Sequence, residues 1–405
     1  MHVLVVGLGG VTTTFRNWPE RIVALALAKR GHTVRAIGTH DPSRPALAAR
    51  QETIAGVQVQ RVRSGYWPNR ELAAALDLGP RPDIIHLMHP RNVLAAQTTR
   101  WAQKHAIPTV YTWLGPFHDA YLVADRERPF DHTPNYAGPI WLQSQLWQRI
   151  KQARSWRIVR DHIRNYRLHA PLKQATHLIP CSQFEADELQ RMGIHQPASV
   201  VPLWIDAETI QATPVVMPDI SAPRPWILFV GQLTPRKGYD LALQAMPRIL
   251  QQHPTASLLM VSGINHAERE QVVRIGDELG ITEHIHFLGR LNDANLINLF
   301  RHCDVYLTPT RYEGFGLTLL EAMAARAPIV ASHIPVVDEI VRDGENGLLA
   351  EYNNPESCAT ATLRVLADPA LAQRLRAGGK HTCEVWYNPS RLMAQLEAVY
   401  KSVLR

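Results

Sequence analysis

Pro309-Thr310-Arg311-Tyr312-Glu313-Gly314-Phe315-Gly316-Leu317-Thr318-Leu319-Leu320-Glu321-Ala322-Met323-Ala324 runs from an apolar strand-like stretch into an apolar helix-like one. Two glycines stand at the joint. Gly314 and Gly316 let the backbone approach a ligand with no Cβ in the way. The amides of Phe315, Gly316 and Leu317 then lie at a helix N-terminus, whose charge of about +0.5 suits a phosphate or diphosphate. Glu313 precedes the turn and Glu321 follows eight residues later, inside the helix. A carboxylate there accepts hydrogen bonds from the vicinal hydroxyls of a ribose. A lone glutamate is most often a solvated surface acid. Two of them bracketing a glycine turn and an apolar helix favour a site.

The same strand–turn–helix grammar recurs on both sides of this string. Val230-Gly231-Gln232-Leu233-Thr234-Pro235-Arg236-Lys237-Gly238 also follows a strand and precedes a helix. Arg236 and Lys237 would project at the carboxyl ends of the strands, where open α/β sheets bind ligands, and their charges suit a diphosphate leaving group. In this second half the pattern predicts strands over 226–230, 257–261, 285–288, 305–307 and 329–331, with a helix over 239–251. The first half predicts strands over 2–7, 33–38, 57–62, 83–87 and 109–112, with helices over 18–31 and 92–105. Short buried strands joined by helices imply parallel sheets covered on both faces. The expected fold class is α/β, with two doubly wound domains over 1–206 and 207–388. The junction is the proline-rich stretch 202–225, and a last amphipathic helix spans 389–405.

The chain of 405 residues suits two domains, and 46% hydrophobic with 20% charged residues excludes general disorder. No apolar run of about 18 residues offers a membrane-spanning helix. The opening Met1-His2-Val3-Leu4-Val5-Val6-Gly7 reads as a buried strand, not a signal peptide. Cys181, Cys303, Cys358 and Cys383 lie far apart and are expected to be reduced thiols of a cytoplasmic protein. No D-x-D motif and no His/Cys cluster at zinc spacing occur, so no metal is expected. The net charge of +7 is uneven: residues 1–206 hold 25 Lys and Arg against 15 Asp and Glu. Part of that surplus lies in an insertion over about 113–170, whose stretch 140–168 reads as helical and strongly basic. Along it and just past its end Arg149, Lys151, Arg154, Arg157, Arg160, Arg164, Arg167 and Lys173 follow one another, with Trp141, Trp147 and Trp156 interleaved. A solvated face and an anionic membrane surface both fit this pattern. Nucleic acid does not, since no recognition module accompanies it.

These strings resemble the retaining glycosyltransferases of family 4, which have the GT-B fold. The likeness rests on E-G-F-G-L-x-x-L-E-A-M-A from Glu313 to Ala324 and on the G-x-L-x-x-x-K-G turn from Gly231 to Gly238. Asp338–Leu349 and the turn Phe287-Leu288-Gly289-Arg290 add to it, more loosely joined by Gly7–Thr14 and Cys181-Ser182-Gln183-Phe184. The resemblance implies two Rossmann-like domains facing a cleft. The second binds a nucleoside-diphosphate sugar and the first a glycan or lipid-linked acceptor, with the last helix returning to the first domain. It implies Glu321 on the ribose, Glu313 on the donor sugar and Lys237 on the diphosphate. Arg236, Gly314, Phe315, Gly316, Leu317 and Arg290 would complete the donor contacts, with Gly9 and Gly10 as a close backbone approach. Neither metal nor organic cofactor is implied.

Three positions depart from the family pattern. Gln232 stands where arginine is common, leaving Arg236 as the second diphosphate cation. Arg326 replaces a glycine after the donor helix. In Thr112-Trp113-Leu114-Gly115 the family's acceptor-side histidine is Leu114, and His118 is the candidate replacement. A sugar phosphorylase, a nucleotide-sugar hydrolase and a non-catalytic two-lobed binding protein remain as alternative readings.

Overall fold

In a computed structural model of the chain, the described residues are 1–13, 17–63, 69–88, 93–112, 170–191, 193–263 and 266–405, with positions 147, 150, 151, 156, 159 and 163. The chain divides into two units; Ile205–Asn388 belongs to the second and Pro389–Arg405 to the first. The insertion around 113–170, His118 and Leu114 lie outside the described residues, apart from those isolated positions.

The strands of the first unit are β1 (His2–Val6), β2 (Thr33–Thr39), β3 (Gln51–Ile54), β4 (Val57–Val62), β5 (Ile84–Met88), β6 (Thr109–Thr112) and β7 (His177–Ile179). They form one sheet in the order β3-β4-β2-β1-β5-β6-β7. From β1 the chain winds outward to β2 and β4, then crosses back to β5, β6 and β7. β5 is buried along its whole length and β1 along all but its first residue. Strands sandwiched between helix layers lose the apolar–polar alternation and read as continuous apolar runs, as these do. The sheet is not wholly parallel, which corrects the sequence reading: β3 pairs antiparallel to β4, Gln51 opposite Gln60 and Ile54 opposite Val57. Ala55 and Gly56, both at positive φ, make the tight turn between them.

The helix Pro389–Val403 closes this unit. Leu392, Met393, Leu396, Val399 and Tyr400 recur at helical spacing and are buried. Glu397, on the same face, accepts from Arg30 Nε at 2.7 Å and Arg30 Nη2 at 2.9 Å, and meets His32 Nε2 at 2.9 Å. Tyr400 Oη lies 2.6 Å from Nδ1 of His86 on β5, whose Nε2 lies 2.6 Å from Thr112 Oγ1.

In the second unit β8 (Trp226–Val230), β9 (Ser257–Val261), β10 (Ile285–Gly289), β11 (Val305–Thr308), β12 (Ile329–Ser332) and β13 (Leu348–Ala350) run parallel in the order β10-β9-β8-β11-β12-β13. Ile227, Phe229, Leu258, Met260, Val305 and Leu307 supply the core, with Met246 and Ile249 of the helix Tyr239–Gln252 packed on them. The winding direction reverses between β8 and β11. At such a reversal the loops leave the sheet on opposite sides and open a crevice at the carboxyl ends of the strands.

Candidate functional site

Both sequence-predicted turns leave the sheet at that reversal. After β8 the chain enters the short 3-10 turn Pro235–Lys237, closed by Gly238 at φ 69°. A Cβ on Gly238 would collide with the carbonyl oxygen of Pro309, so only glycine lets the β8 turn and the β11 loop touch. Hydrogen bonds then join the two. The Arg236 carbonyl accepts from the Arg311 amide at 2.8 Å and from the Thr310 hydroxyl at 3.0 Å.

Arg311 is the brace of the arrangement, and the sequence reading did not single it out. Its guanidinium is buried and grips Asp240 with both terminal nitrogens, at 2.7 and 2.6 Å. It also donates to the Pro235 carbonyl at 2.6 Å and to Asn353 Oδ1 at 2.7 Å. A planar, forked donor is what such a junction needs, since one side chain must fix partners in three segments. The available signal was charge complementarity with Asp240, but 71 residues separate the pair.

In front of this brace three predicted residues meet. Lys237 Nζ donates to Glu313 Oε1 in a short contact and lies 3.0 Å from Oε2. Arg236 Nη1 lies 3.6 Å from Glu313 Oε2 and donates to the Tyr312 carbonyl at 3.1 Å. The side chains of Glu313, Lys237 and Arg236 are 12%, 17% and 19% exposed. Burial pushes the Glu313 carboxyl up, but the charges of Lys237 and Arg236 outweigh it and hold the acid below its ordinary range. Burial pulls the Lys237 ammonium down, further helped by Arg236 and opposed by Glu313.

Gly316, at φ 100°, is the N-cap of the helix Leu317–Ala324. Its carbonyl takes the amides of Leu319 and Leu320. The amides ahead of Leu319 have no carbonyl within their own helix to bond, which leaves a positive helix end four residues after Glu313. Phe315 is buried and stands edge-on to Tyr387 at 6.0 Å, so its side chain anchors the turn. Glu321 is half-buried on the helix. Burial raises the Tyr306 phenol against a hydrogen bond with Thr308, and the charges of Glu313 and Glu321 add to that rise. Arg290 is exposed beyond the end of β10, two strands from β8, lying against Gly263.

In the first unit the glycine loop after β1 is explained by its own surroundings. A Cβ on Gly9 would strike the Trp18 indole, and one on Gly7 the Glu20 carboxylate. Gly10, at φ 65°, packs against the Cα of Gly38. The Gly9 amide donates to Glu20 Oε1 at 3.1 Å, so a carboxylate of the chain itself sits under the loop. Arg61, fully buried, holds the Val11 carbonyl at 2.8 Å, and Arg21 holds that of Thr12 at 2.9 Å. The serine-capped helix at Cys181–Phe184 is present: Ser182 Oγ accepts from the Glu185 amide at 3.1 Å while Glu185 Oε2 accepts from the Cys181 amide at 2.8 Å. Among the described residues no three His, Cys, Asp or Glu side chains gather as metal ligands would.

A family model described as "Glycosyl transferases group 1" matches residues 218–382, and one described as "Glycosyltransferase Family 4" matches residues 9–209. An uncharacterized glycosyltransferase of Methanocaldococcus jannaschii is 34% identical over 175 residues, 43% of this chain and 44% of that protein. The phosphatidyl-myo-inositol mannosyltransferase of Mycobacterium tuberculosis is 34% identical over 183 residues, 44% of this chain and 47% of its own. The matched stretch thus spans under half the length of each relative. The sucrose-phosphate synthase structure from Thermosynechococcus elongatus superposes with a TM-score of 0.75 at 21% identity, over 99% of this chain and 98% of that one. That likeness speaks for the fold, which is GT-B. With one model of the group on each half and its two diagnostic turns meeting at a single reversal of the sheet, the chain belongs to the family 4, group 1 glycosyltransferases.

Proposed function

We propose that this chain moves a glycosyl group from a nucleoside-diphosphate sugar to a glycan or lipid-linked acceptor, with retained configuration and without a metal ion. The observation that carries the reading is the convergence of Lys237, Arg236 and Glu313 before the N-terminus of the helix Leu317–Ala324. When the bond from the sugar to the diphosphate breaks, negative charge grows on the departing oxygen. Two mostly buried cations and a helix end stabilise that charge with little reorganisation. Glu321 accepts from the ribose hydroxyls and Glu313 from those of the donor sugar. The acceptor hydroxyl attacks on the face that the leaving group vacates, which retains configuration. His118 is the acceptor-side candidate for that step.

The acceptor class draws support from the mycobacterial relative, which by its name acts on phosphatidyl-myo-inositol. A second reading, peripheral contact with an anionic membrane from the cytoplasmic side, rests on the cationic surplus of residues 1–206. The 59% and 77% exposure of Trp147 and Trp156 adds to it. Flotation with anionic vesicles and not with neutral ones is the expected result; equal binding to both, or none, removes that reading.

The decisive experiment is a thermal-shift panel of UDP, GDP, ADP and their sugars, followed by transfer assays with the donor that binds. A ligand at about 100 times its Kd adds roughly 2.7 kcal/mol of stability. Lys237→Ala should then lower kcat by about two to three decades, the usual loss for one such electrostatic donor. Phosphate-dependent turnover without an acceptor would mark a phosphorylase instead. Binding without turnover would mark a binding protein, and no binding at all defeats the reading.

A further inference from the structure

We propose that Glu313 makes the site discriminate between a sugar-bearing donor and the bare nucleoside diphosphate, by competing with the diphosphate for Lys237 and Arg236. The inference rests on the donor-site reading above. Both carboxylate oxygens of Glu313 lie on the Lys237 ammonium, and Oε2 also faces the Arg236 guanidinium at 3.6 Å. These are the cations that a diphosphate would need. An incoming anion therefore meets a site whose charge is already partly cancelled, beside a carboxylate that repels it.

The surroundings force an exchange. The three side chains are mostly buried, so water does not screen the carboxylate well. The backbone that leads into Glu313 is fixed. Tyr312 O is held by Arg236 and Thr310, and Arg311 is locked to Asp240, Pro235 and Asn353. The Glu313 side chain can swing without moving that backbone, and once it leaves Lys237 it needs new donors. Sugar hydroxyls on the anomeric side of the diphosphate supply them. A bare diphosphate supplies none and leaves a half-buried carboxylate unpaired beside a polyanion, an unfavourable arrangement. After transfer, Glu313 returns to Lys237 and helps expel the nucleotide.

Titration calorimetry of the full chain with inorganic diphosphate, UDP and GDP, and with their sugars, tests this on wild type and on Glu313→Gln. The variant keeps the size of the side chain and removes its charge. It should bind inorganic diphosphate and the preferred nucleoside diphosphate roughly tenfold tighter or more than wild type, as expected for loss of one like charge nearby. Its preference for the sugar-bearing donor should shrink. Unchanged or weaker binding of the bare anions by Glu313→Gln overturns the inference while leaving the donor site standing, provided that wild type binds a sugar donor. Failure of both proteins to bind any of these probes defeats the donor-site reading itself, and this inference with it. Should the variant not fold, wild type alone decides: its sugar donor must bind roughly tenfold tighter than the matching bare nucleotide, and equal affinities overturn the proposal.

Discussion

Arg326 ends the donor helix at φ 63°, in a region that costs a side chain about 1–2 kcal/mol and glycine nothing. Its side chain is exposed, and its carbonyl is what receives Arg376 Nη1 at 2.7 Å. Arg326→Gly should therefore stabilise the second unit by about 1 kcal/mol, read by calorimetry as a rise of about 2–4 °C in its transition. The departure from the family glycine is tolerated because the turn closes through backbone bonds, Arg326 to Met323 and Ala327 to Ala322. Gly238 is the opposite case. Its φ of 69° and the Pro309 oxygen against it leave no room for a methyl. Gly238→Ala should cost about 2–4 kcal/mol and weaken diphosphate binding, because the collision separates Lys237 from the loop that carries Glu313. Calorimetry and diphosphate titration check the two effects; an unaltered transition would show that the loops part without strain. At this scale the acids and cations were legible as letters, and their partners were not. Arg311 and Glu20 were not singled out by any local pattern, yet one braces the donor turn and the other fills the space under the first glycine loop.

The elements were legible where they are long or fully buried. β4, β6, β8 and β9 keep the predicted bounds. β3, β7 and β13 went unread because each has only three or four residues and none is buried along its whole length, so neither a period nor a continuous apolar run declares itself. The terminal helix shows what an element gains from tertiary placement. It joins the first unit through Glu397 and Tyr400, on a face that its periodicity announces but whose partners it does not name. Burial holds the His86 imidazole under this helix down to about 3. An unfolded histidine titrates near 6.5, so the unfolded chain takes up its proton first as pH falls. His86 therefore favours the native state fully above about pH 6.5, and that contribution is lost progressively toward pH 3; at pH 5 the loss is about 2 kcal/mol. Glu397 acts in the same direction, since hydrogen bonds from Arg30, then those from His32, hold its carboxyl low despite partial burial. Stability of the first unit, followed by urea unfolding, should decline between pH 6.5 and 4, with a shallower decline in His86→Gln. Equal slopes in the two proteins would mean that His86 is protonated in the native state. Tyr400→Phe leaves a buried imidazole nitrogen without its partner and should cost about 1–3 kcal/mol at neutral pH.

For the molecule as a whole, donor binding should protect backbone amides from hydrogen exchange mainly at 231–238 and 313–321, where the two turns of the second unit meet. Protection spread evenly over both units would place the ligand elsewhere. The amino-acid sequence by itself determined the two doubly wound halves, because strands buried on both faces and helices with one apolar stripe print their periods locally. It also determined which acids and cations bracket the glycine turns, since each string is contiguous. Only the tertiary structure decided that Glu313 pairs with Lys237 across 76 residues, Arg311 with Asp240 across 71, and His86 with Tyr400 across 314. Such partnerships depend on strand order and on which side of the sheet each loop leaves it, and no local pattern encodes either.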